Sequence, residues 1–430
     1  WEQLIDDDTD PLTNRAIQSY APGSTYKTVS ALAGLRKGLT SRNAFTCSGG
    51  VHYGAKFMKC WIADKGGAHG TLALSEALKV SCNAFFYQWA NAAGIDQINV
   101  VGDALMLGRK TGVPLSGESG GILPGPEWLR LVNPNDRWSS GRTANTGIGQ
   151  GEVEASPLQM AMVIATIANR GVSYEPRLIH RVLSQDGQDA RDEDGKLAAP
   201  PGAKVRADLR ADGISKDEIE LVRRGLWKVV NEAGGTGKRA QIKGVDVAGK
   251  TGTAQFWRLE RGQRIKDNHT WFLSFAPYDQ PRYAVCVFVQ GAKSGGGVSA
   301  PIAQKILEEC FAIENGWDPG LTALEPAKGS FAPIELVDYK KSAVPSEMKP
   351  DEETADHTDE PPAPAKMRDK RTTARPPTIR ADADAAGRVQ PRPPKPPVDR
   401  IGLLERFFGP RRRPVNNPPP RQSPSRPGAR

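Results

Sequence analysis

The most constraining feature of this sequence is an abrupt change of composition near residue 345. Residues 345–430 contain 19 of the chain's 35 prolines, many charged side chains and few apolar ones. Such a segment cannot bury enough apolar surface to offset the entropy that ordering would cost. We therefore predict that residues 346–430 form a disordered, basic, proline-rich tail. An extension over residues 317–345 would join this tail to one folded domain, residues 1–316.

The positive charge of the chain is concentrated in the same region. Residues 341–430 contain 19 Lys and Arg against 12 Asp and Glu, and the whole chain has a formal net charge of +9. A basic tail on a nearly neutral domain argues against a nucleic-acid partner. No apolar run approaches the ~18 residues needed to cross a bilayer. The chain starts at Trp1 and not at a methionine, so we expect it to be a fragment of a longer protein.

The order of the predicted elements favours an α+β fold. Apolar residues at helical spacing predict helices over residues 24–39, 72–93, 156–169, 215–233 and 301–313. Short apolar or β-branched segments predict strands over residues 245–256, 270–276 and 283–290. Residues 40–71 and 108–151 are rich in glycine and are expected to be loops. Helices followed by an antiparallel sheet and a closing helix are typical of α+β domains.

Ser24 and Lys27 open the first predicted helix. Their spacing puts both side chains on one helix face, and the helix N-terminus stabilises negative charge that develops nearby. A lysine can take the proton of a serine nucleophile if burial or a second cation favours its neutral form. The same Ser-x-x-Lys spacing occurs at Ser346 and Lys349 in the predicted tail, so this pattern alone is weak evidence.

Two further motifs strengthen the case for a serine enzyme. Ser81 and Asn83 offer a hydroxyl for proton transfer and an amide that can hold a substrate amide. Residues 250–253, Lys-Thr-Gly-Thr, lie on a predicted strand and combine a positive charge with space for a substrate. Ser-x-x-Lys, Ser-x-Asn and Lys-Thr-Gly are the three motifs of the penicillin-recognising serine enzymes. Competing matches at residues 41–43 and 110–112 lie in predicted loops.

On these motifs the chain resembles the transpeptidase domain of class B penicillin-binding proteins, in particular the elongation-type group called penicillin-binding protein 2. The resemblance runs from about residue 14 to residue 313. It rests on four segments, residues 14–27, 81–87, 138–151 and 248–255. It implies the penicillin-binding, β-lactamase-like transpeptidase fold, in which helices flank an antiparallel sheet.

The resemblance also implies roles for individual residues. Ser24 would be the acylated nucleophile and Lys27 its general base. The other implied residues transfer protons or position the substrate, and they are Ser81, Asn83, Lys250, Thr251, Gly252 and Thr253. The implied reaction is D,D-transpeptidation, in which the serine attacks the D-Ala-D-Ala bond of a peptidoglycan stem peptide and releases D-alanine. An amine of a second stem then takes the acyl group, and β-lactams acylate the same serine.

Three alternatives to a transpeptidase share some of these motifs. A class A β-lactamase needs a glutamate in a Glu-x-x-x-Asn frame, and none of the candidates between the motifs, Glu118, Glu127, Glu152 and Glu154, is in that frame. A β-lactam-sensing receptor module and a non-catalytic scaffold of the elongation complex stay open.

A second constellation consists of Cys47, Cys60, His69 and Cys82. Three thiolates and one imidazole form a common structural zinc site, but the close Cys-x2-Cys pair of such sites is missing here. From spacing alone, buried thiols, a disulfide or unconnected positions remain alternatives. The resemblance favours a structural Zn²⁺, because several members of the group carry ligand-capable residues at these four positions. Cys286 and Cys310 are expected to be buried in the core.

The resemblance finally implies a cellular setting. It implies a domain in the periplasm that is attached to the inner membrane by an anchor outside this sequence. It also implies a membrane glycosyltransferase of the elongation machinery as a partner.

Overall fold

The computed structural model describes residues 11–199, 202–260 and 263–316. The predicted extension and tail lie outside the described residues. The helices are α1 (Lys27–Arg36), α2 (Leu74–Lys79), α3 (Asn83–Ala93), α4 (Ile95–Ala104), α5 (Pro126–Val132), α6 (Ser140–Gly147), α7 (Pro157–Ala168), α8 (Lys216–Asn231) and α9 (Ala300–Glu314). The strands are β1 (Phe45–Cys47), β2 (Gly50–Tyr53), β3 (Lys56–Lys59), β4 (Gly70–Leu72), β5 (Val172–Tyr174), β6 (Val205–Asp208), β7 (Ala248–Glu260), β8 (Gln263–Ala276) and β9 (Tyr283–Gln290).

Helix α1 lies in the centre of the domain, because all of its residues from Lys27 to Leu35 are buried. Helices α3 and α4 pack against it, and the indole Nε1 of Trp89 on α3 donates a hydrogen bond to the carbonyl of Ser30, 2.9 Å away. A helix that is buried on all sides has no solvated face. The side chains at its N-terminal end are therefore held by packing from every direction.

The main sheet is an antiparallel meander in the order β7–β8–β9, with β7 at one edge. The pairing of β7 with β8 is continuous from Ala248–Phe275 to Glu260–Gln263, while β9 pairs with β8 only up to His269. Helices α8 and α9 pack against this sheet. The fold is therefore α+β, as the sequence predicted. No helix within the described ranges is both long and apolar enough to cross a bilayer.

Most of the predicted helices and strands are present, and α8 begins with the predicted capping box at Ser215 and Glu218. The prediction of loops over residues 40–71 is wrong, because this region contains two small antiparallel sheets, β1–β4 and β2–β3. Helices α5 and α6 likewise lie within the stretch 108–151. Strands of three or four residues are too short to show a period in the sequence.

Candidate active site

Ser24 lies in a 3-10 turn, Gly23–Tyr26, which we call the serine turn and which leads directly into α1. Gly23 has a φ of +54°, and a Cβ there would come within 2.6 Å of the carbonyl oxygen of Thr253. Gly149 has a φ of +75° and packs against the backbone of Gly23. A Cβ at Gly149 would overlap the carbonyl of Gly23. The serine turn is therefore held directly between β7 and the segment that follows α6.

Lys27, the first residue of α1, is held by hydrogen bonds of its Nζ to the turn between α2 and α3. It donates to Ser81 O at 2.7 Å, to Ser81 Oγ at 3.1 Å and to Asn83 Oδ1 at 2.6 Å. The Nζ of Lys250 on β7 donates to the same Ser81 Oγ at 2.7 Å. Both amines are fully buried. The Ser81 hydroxyl thus has two nitrogen neighbours through which a proton can move, next to the serine turn.

Ser81 lies between α2 and α3 in the left-handed region, with a φ of +53°. This conformation is uncommon for residues other than glycine and costs on the order of 1–3 kcal/mol. The short turn is stabilised by a hydrogen bond from the Cys82 N–H to the carbonyl of Ala77, 3.0 Å long. Asn83 then begins α3. This local geometry points Ser81 and Asn83 toward Lys27.

The threonines of β7 contact residues that the sequence did not single out. Thr251 Oγ1 lies 2.7 Å from Thr236 Oγ1, and Thr253 Oγ1 accepts a hydrogen bond from the N–H of Gly295 at 3.4 Å. A Cβ at Gly252 would lie 2.8 Å from Thr25 Cγ2, so only glycine fits beside the serine turn. Glycines flank Thr236, and residues 295–297 are glycines. In the sequence, these glycine runs are the signal that could have identified the segments around Thr236 and Gly295 as parts of the site.

An aromatic cluster fastens the chain before Ser24 to the sheet. Tyr20 stacks on Phe288 with ring centroids 4.3 Å apart and meets His269 edge-on at 5.2 Å, while Phe256 stacks on His269 at 3.8 Å. Trp271 Nε1 donates to the carbonyl of Ala21 at 3.0 Å. Burial lowers the pKa of His269 to about 4, and its buried Nδ1 has no hydrogen-bond partner among the described residues. His269 is therefore neutral at physiological pH.

The four predicted metal ligands lie together, with all ligand atoms within 4.8 Å of one another. Cys47 Sγ is 3.7 Å and Cys60 Sγ is 3.5 Å from His69 Nδ1, and the Sγ atoms of Cys60 and Cys82 are 3.9 Å apart. A tetrahedral zinc with bonds of ~2.3 Å to sulfur and ~2.0–2.1 Å to nitrogen places its ligand atoms about 3.5–3.8 Å apart. The cluster therefore fits zinc in both donor chemistry and spacing.

A disulfide does not explain this cluster, because the three cysteines are free and the Cys60–Cys82 sulfur separation is far above a bonded ~2.05 Å. Hydrogen bonds from Cys60 and Cys82 lower the pKa of Cys47. Burial opposes a charge on His69, but the sulfur atoms of Cys47 and Cys60 outweigh it and raise its pKa to about 9. Hydrogen bonds with Cys47 and Cys60 raise the pKa of Cys82, so the negative charge of the metal-free cluster lies on Cys47.

Short strands bring the four ligands together. Cys47 ends β1 and pairs with Gly70 of β4, which places it beside His69. Cys60 follows β3, and Cys82 is the N-cap of α3, where its Sγ accepts from the N–H of Phe85 at 3.4 Å. Cys82 therefore joins the cluster to the turn that carries Ser81. The remaining two cysteines, Cys286 and Cys310, are only half-buried, although Cys286 packs against the hydrophobic core as predicted.

The structure thus brings the three predicted motifs of the penicillin-recognising serine enzymes together around the serine turn. Residues 2–308 match the family described as penicillin binding protein transpeptidase domain, and the chain belongs to this family. It is similar to the peptidoglycan D,D-transpeptidase MrdA of Acinetobacter baumannii, with 32% identity over 72% of this chain and 45% of that protein. The Escherichia coli K12 MrdA is 30% identical over 76% of this chain and 51% of that protein. The chain thus spans about half the length of these curated relatives.

Solved structures show the same fold. Pseudomonas aeruginosa PBP2 in complex with WCK 5153 aligns with a TM-score of 0.61 and 28% identity, over 76% of this chain and 66% of that chain. PBP2 in the Helicobacter pylori complex with MreC gives 0.59 and 27%, over 72% and 54%. The imipenem acyl-enzyme complex of penicillin-binding protein A from M. tuberculosis gives 0.58 and 26%, over 72% and 64%.

Proposed function

We propose that this chain is the catalytic domain of a peptidoglycan D,D-transpeptidase, with Ser24 as its nucleophile. The observation that carries the proposal is the buried hydrogen-bond network of Lys27, Ser81, Asn83 and Lys250, which adjoins the serine turn. This network connects a candidate base, a candidate proton relay and a candidate electrostatic group. A serine next to such a network can form and resolve an acyl ester.

The first half-reaction releases D-alanine. With the Lys27 amine in its neutral form, Ser24 Oγ gives its proton to Lys27 Nζ and forms a bond to the carbonyl carbon of the penultimate D-alanine of a stem peptide. The tetrahedral intermediate then expels the terminal D-alanine, whose amine receives a proton from Lys27 through the Ser81 hydroxyl. In the second half-reaction an amine of another stem attacks the ester, loses its proton along the same route and frees Ser24. The net result is that the D-Ala-D-Ala amide bond is exchanged for one new amide bond between two stems, with release of one D-alanine.

Groups on the serine turn and on β7 would stabilise the tetrahedral intermediate and bind the substrate. The backbone N–H groups of Ser24 and Thr253 are candidates for the oxyanion hole, because the serine turn lies directly against the Thr253 carbonyl. Each such donor is typically worth about 3–4 kcal/mol. Thr251 and Thr253, held by Thr236 and Gly295, would bind the substrate carboxylate. Gly252 provides the space that this approach needs.

We further propose that Cys47, Cys60, His69 and Cys82 hold a structural Zn²⁺. The metal takes no part in the reaction, since none of its four ligands is a residue that would touch the substrate. Its contribution is to tie the N-cap of α3 to β1 and thereby to hold Ser81 and Asn83 in place. Zinc quantified by mass spectrometry on purified protein, before and after a chelator, tests this proposal. The proposal would be contradicted if a chelator removed the zinc and the Tm of the protein stayed the same.

For the cellular setting we propose that the domain works in the periplasm at the inner membrane, within the elongation machinery. The complex of Helicobacter pylori PBP2 with MreC supports a scaffold partner of the MreC type. A membrane glycosyltransferase is the expected enzymatic partner, because cross-linking needs freshly made glycan strands. Crosslinking of the full-length protein in cells, followed by identification of the crosslinked proteins, tests both partners.

The experiment that tests the main proposal is intact-mass spectrometry after incubation with a fluorescent penicillin. The parent chain should gain one penicillin, and the Ser24→Ala variant should gain none. Ser41→Ala is the matched control, because Ser41 is exposed and starts the competing Ser-x-Asn match. Release of D-alanine from a synthetic stem peptide then separates a transpeptidase from a β-lactam sensor, which would form the adduct without turnover. A parent chain that forms no adduct would contradict the proposal.

A further inference from the structure

Strands β7 and β8 continue well beyond the end of β9. The β9 strand pairs with β8 only as far as His269, and the residues just after β9 still donate to the carbonyl of Asn268, so among the described residues 263–267 pair with β7 alone. Residues 256–260 of β7 and 263–267 of β8 thus form a two-stranded extension, which we call the ribbon. The ribbon begins three residues after Thr253, so the strand that carries the candidate substrate-binding threonines runs directly into it.

The ribbon carries an exposed tryptophan next to cationic side chains. The Trp257 side chain is 52% exposed, although indoles are usually largely buried. The Arg264 guanidinium lies 5.5 Å from the centroid of the Trp257 ring, and Lys266, the direct cross-strand partner of Trp257, is also exposed. A guanidinium at this distance is attracted to the face of the indole ring. The result is an exposed apolar surface bordered by hydrogen-bond donors.

Trp257 lies on the same side of β7 as Thr251 and Thr253, because strand side chains alternate and the β7–β8 register is unbroken. Four residues separate Thr253 from Trp257, which corresponds to about 14 Å along the strand. A stem peptide whose scissile bond reaches Ser24 extends over a similar distance before it joins its sugar. An extended donor that follows β7 would therefore bring its sugar, rather than its reactive end, to the ribbon.

We propose that Trp257 and Arg264 form a subsite for a sugar ring of the glycan strand that carries the donor stem. A pyranose ring has an apolar C–H face that packs on an indole, and its hydroxyls accept hydrogen bonds from guanidinium and ammonium groups. Residues 256–267 contain four Lys and Arg against two Asp and Glu, which also suits a polymer whose stems carry carboxylates. This inference rests on the proposed function, since it assigns the donor's position from Ser24.

The test compares two soluble probes that differ only in the sugar: a disaccharide-pentapeptide and the same pentapeptide without the disaccharide. Binding is measured on chains that also carry Ser24→Ala, so that no acyl transfer intervenes. Trp257→Ala should weaken binding of the disaccharide-pentapeptide about tenfold, the effect of a well-packed aromatic contact, and leave the sugar-free pentapeptide unchanged. Trp257→Phe should recover most of the loss, and Arg264→Gln should show a smaller loss.

Phe57→Ala is the matched control, because Phe57 is an exposed aromatic on β3 with 44% of its surface accessible. It should not alter binding of either probe. Equal weakening of both probes by Trp257→Ala, or no weakening of either, would overturn the sugar subsite. Failure of the parent to react with penicillin would refute the proposed function, while the probe comparison would still decide the subsite.

Discussion

Replacing His269 with phenylalanine should remove a specific pH dependence of stability. The side chain is 6% exposed, and burial lowers its pKa from 6.5 to about 4. Asp267 is the charged neighbour that opposes this effect, and the remaining contacts are the rings of Tyr20, Phe256 and Phe288. The folded protein therefore binds this proton less tightly than the unfolded chain does. The stability that depends on neutral His269 is fully present above pH 6.5 and is lost as the pH falls toward 4.

The size of the effect follows from the two pKa values. A fall from 6.5 to about 4 corresponds to about 3 kcal/mol, a large part of the stability of a typical domain. Phenylalanine keeps the stack on Phe256, cannot be protonated and leaves no buried nitrogen without a partner. Between pH 7.5 and 4 the parent should thus lose about 3 kcal/mol more than the His269→Phe variant.

Urea unfolding at a series of pH values measures this difference. The matched control is His180→Gln, because His180 is exposed and its replacement should leave the pH profile of the parent unchanged. The reasoning is refuted if parent and His269→Phe lose stability in parallel over the whole range. It is also refuted if the variant is far less stable at pH 7.5, since that would mean that the imidazole itself makes a favourable polar contact.

Three other substitutions test the site. Gly149→Ala should slow penicillin acylation about 100-fold by displacing the serine turn. Gly141→Ala is the control and should have little effect, because a Cβ there would lie 3.7 Å from its nearest neighbouring atom. Stopped-flow measurement of the acylation rate compares the two variants. Ser81→Ala should slow acylation by about 100- to 10,000-fold as a proton relay is lost, with an unchanged circular dichroism spectrum; an unaffected rate would rule out the relay. Cys60→Ser should reduce bound zinc from about one per chain and lower the Tm, while Cys310→Ser should do neither; equal zinc contents would argue against the metal site.

The local parts of the site could be predicted from the sequence. Ser24 and Lys27 are three residues apart, and the helical pattern predicted the position where the serine turn leads into α1. The capping box of α8 and the meander of β7–β9 are also set by neighbouring residues, through a Ser-x-x-Glu pattern and alternating apolar side chains. Where a contact depends only on residues close in the chain, the sequence contains the information needed to predict it.

Contacts between distant segments could not be predicted in the same way. Thr236 meets Thr251 only because the loop after α8 returns to β7, and Gly149 meets Gly23 only because α6 ends beside α1. The pairing of β1 with β4 joins strands of three residues that are separated by more than twenty. A strand of three residues is too short to show the alternation of apolar and polar side chains that identifies a strand. The glycine content of these segments therefore predicted loops. The extension of β7 and β8 was missed because its alternating charged residues suit a solvated surface equally well.

The strained turn at Ser81 connects the proposed metal to the proposed chemistry. Ser81 is held in the left-handed region from one side by Lys27, which donates to its carbonyl oxygen at 2.7 Å. On the other side, Cys82 is held by the N–H of Phe85 and lies 3.9 Å from Cys60. A bound Zn²⁺ would fix that second side without contacting the substrate. The role of the metal would then be to maintain a backbone conformation that costs on the order of 1–3 kcal/mol. Metal loss should consequently lower the rate of acylation, through Ser81 and Asn83, as well as the Tm.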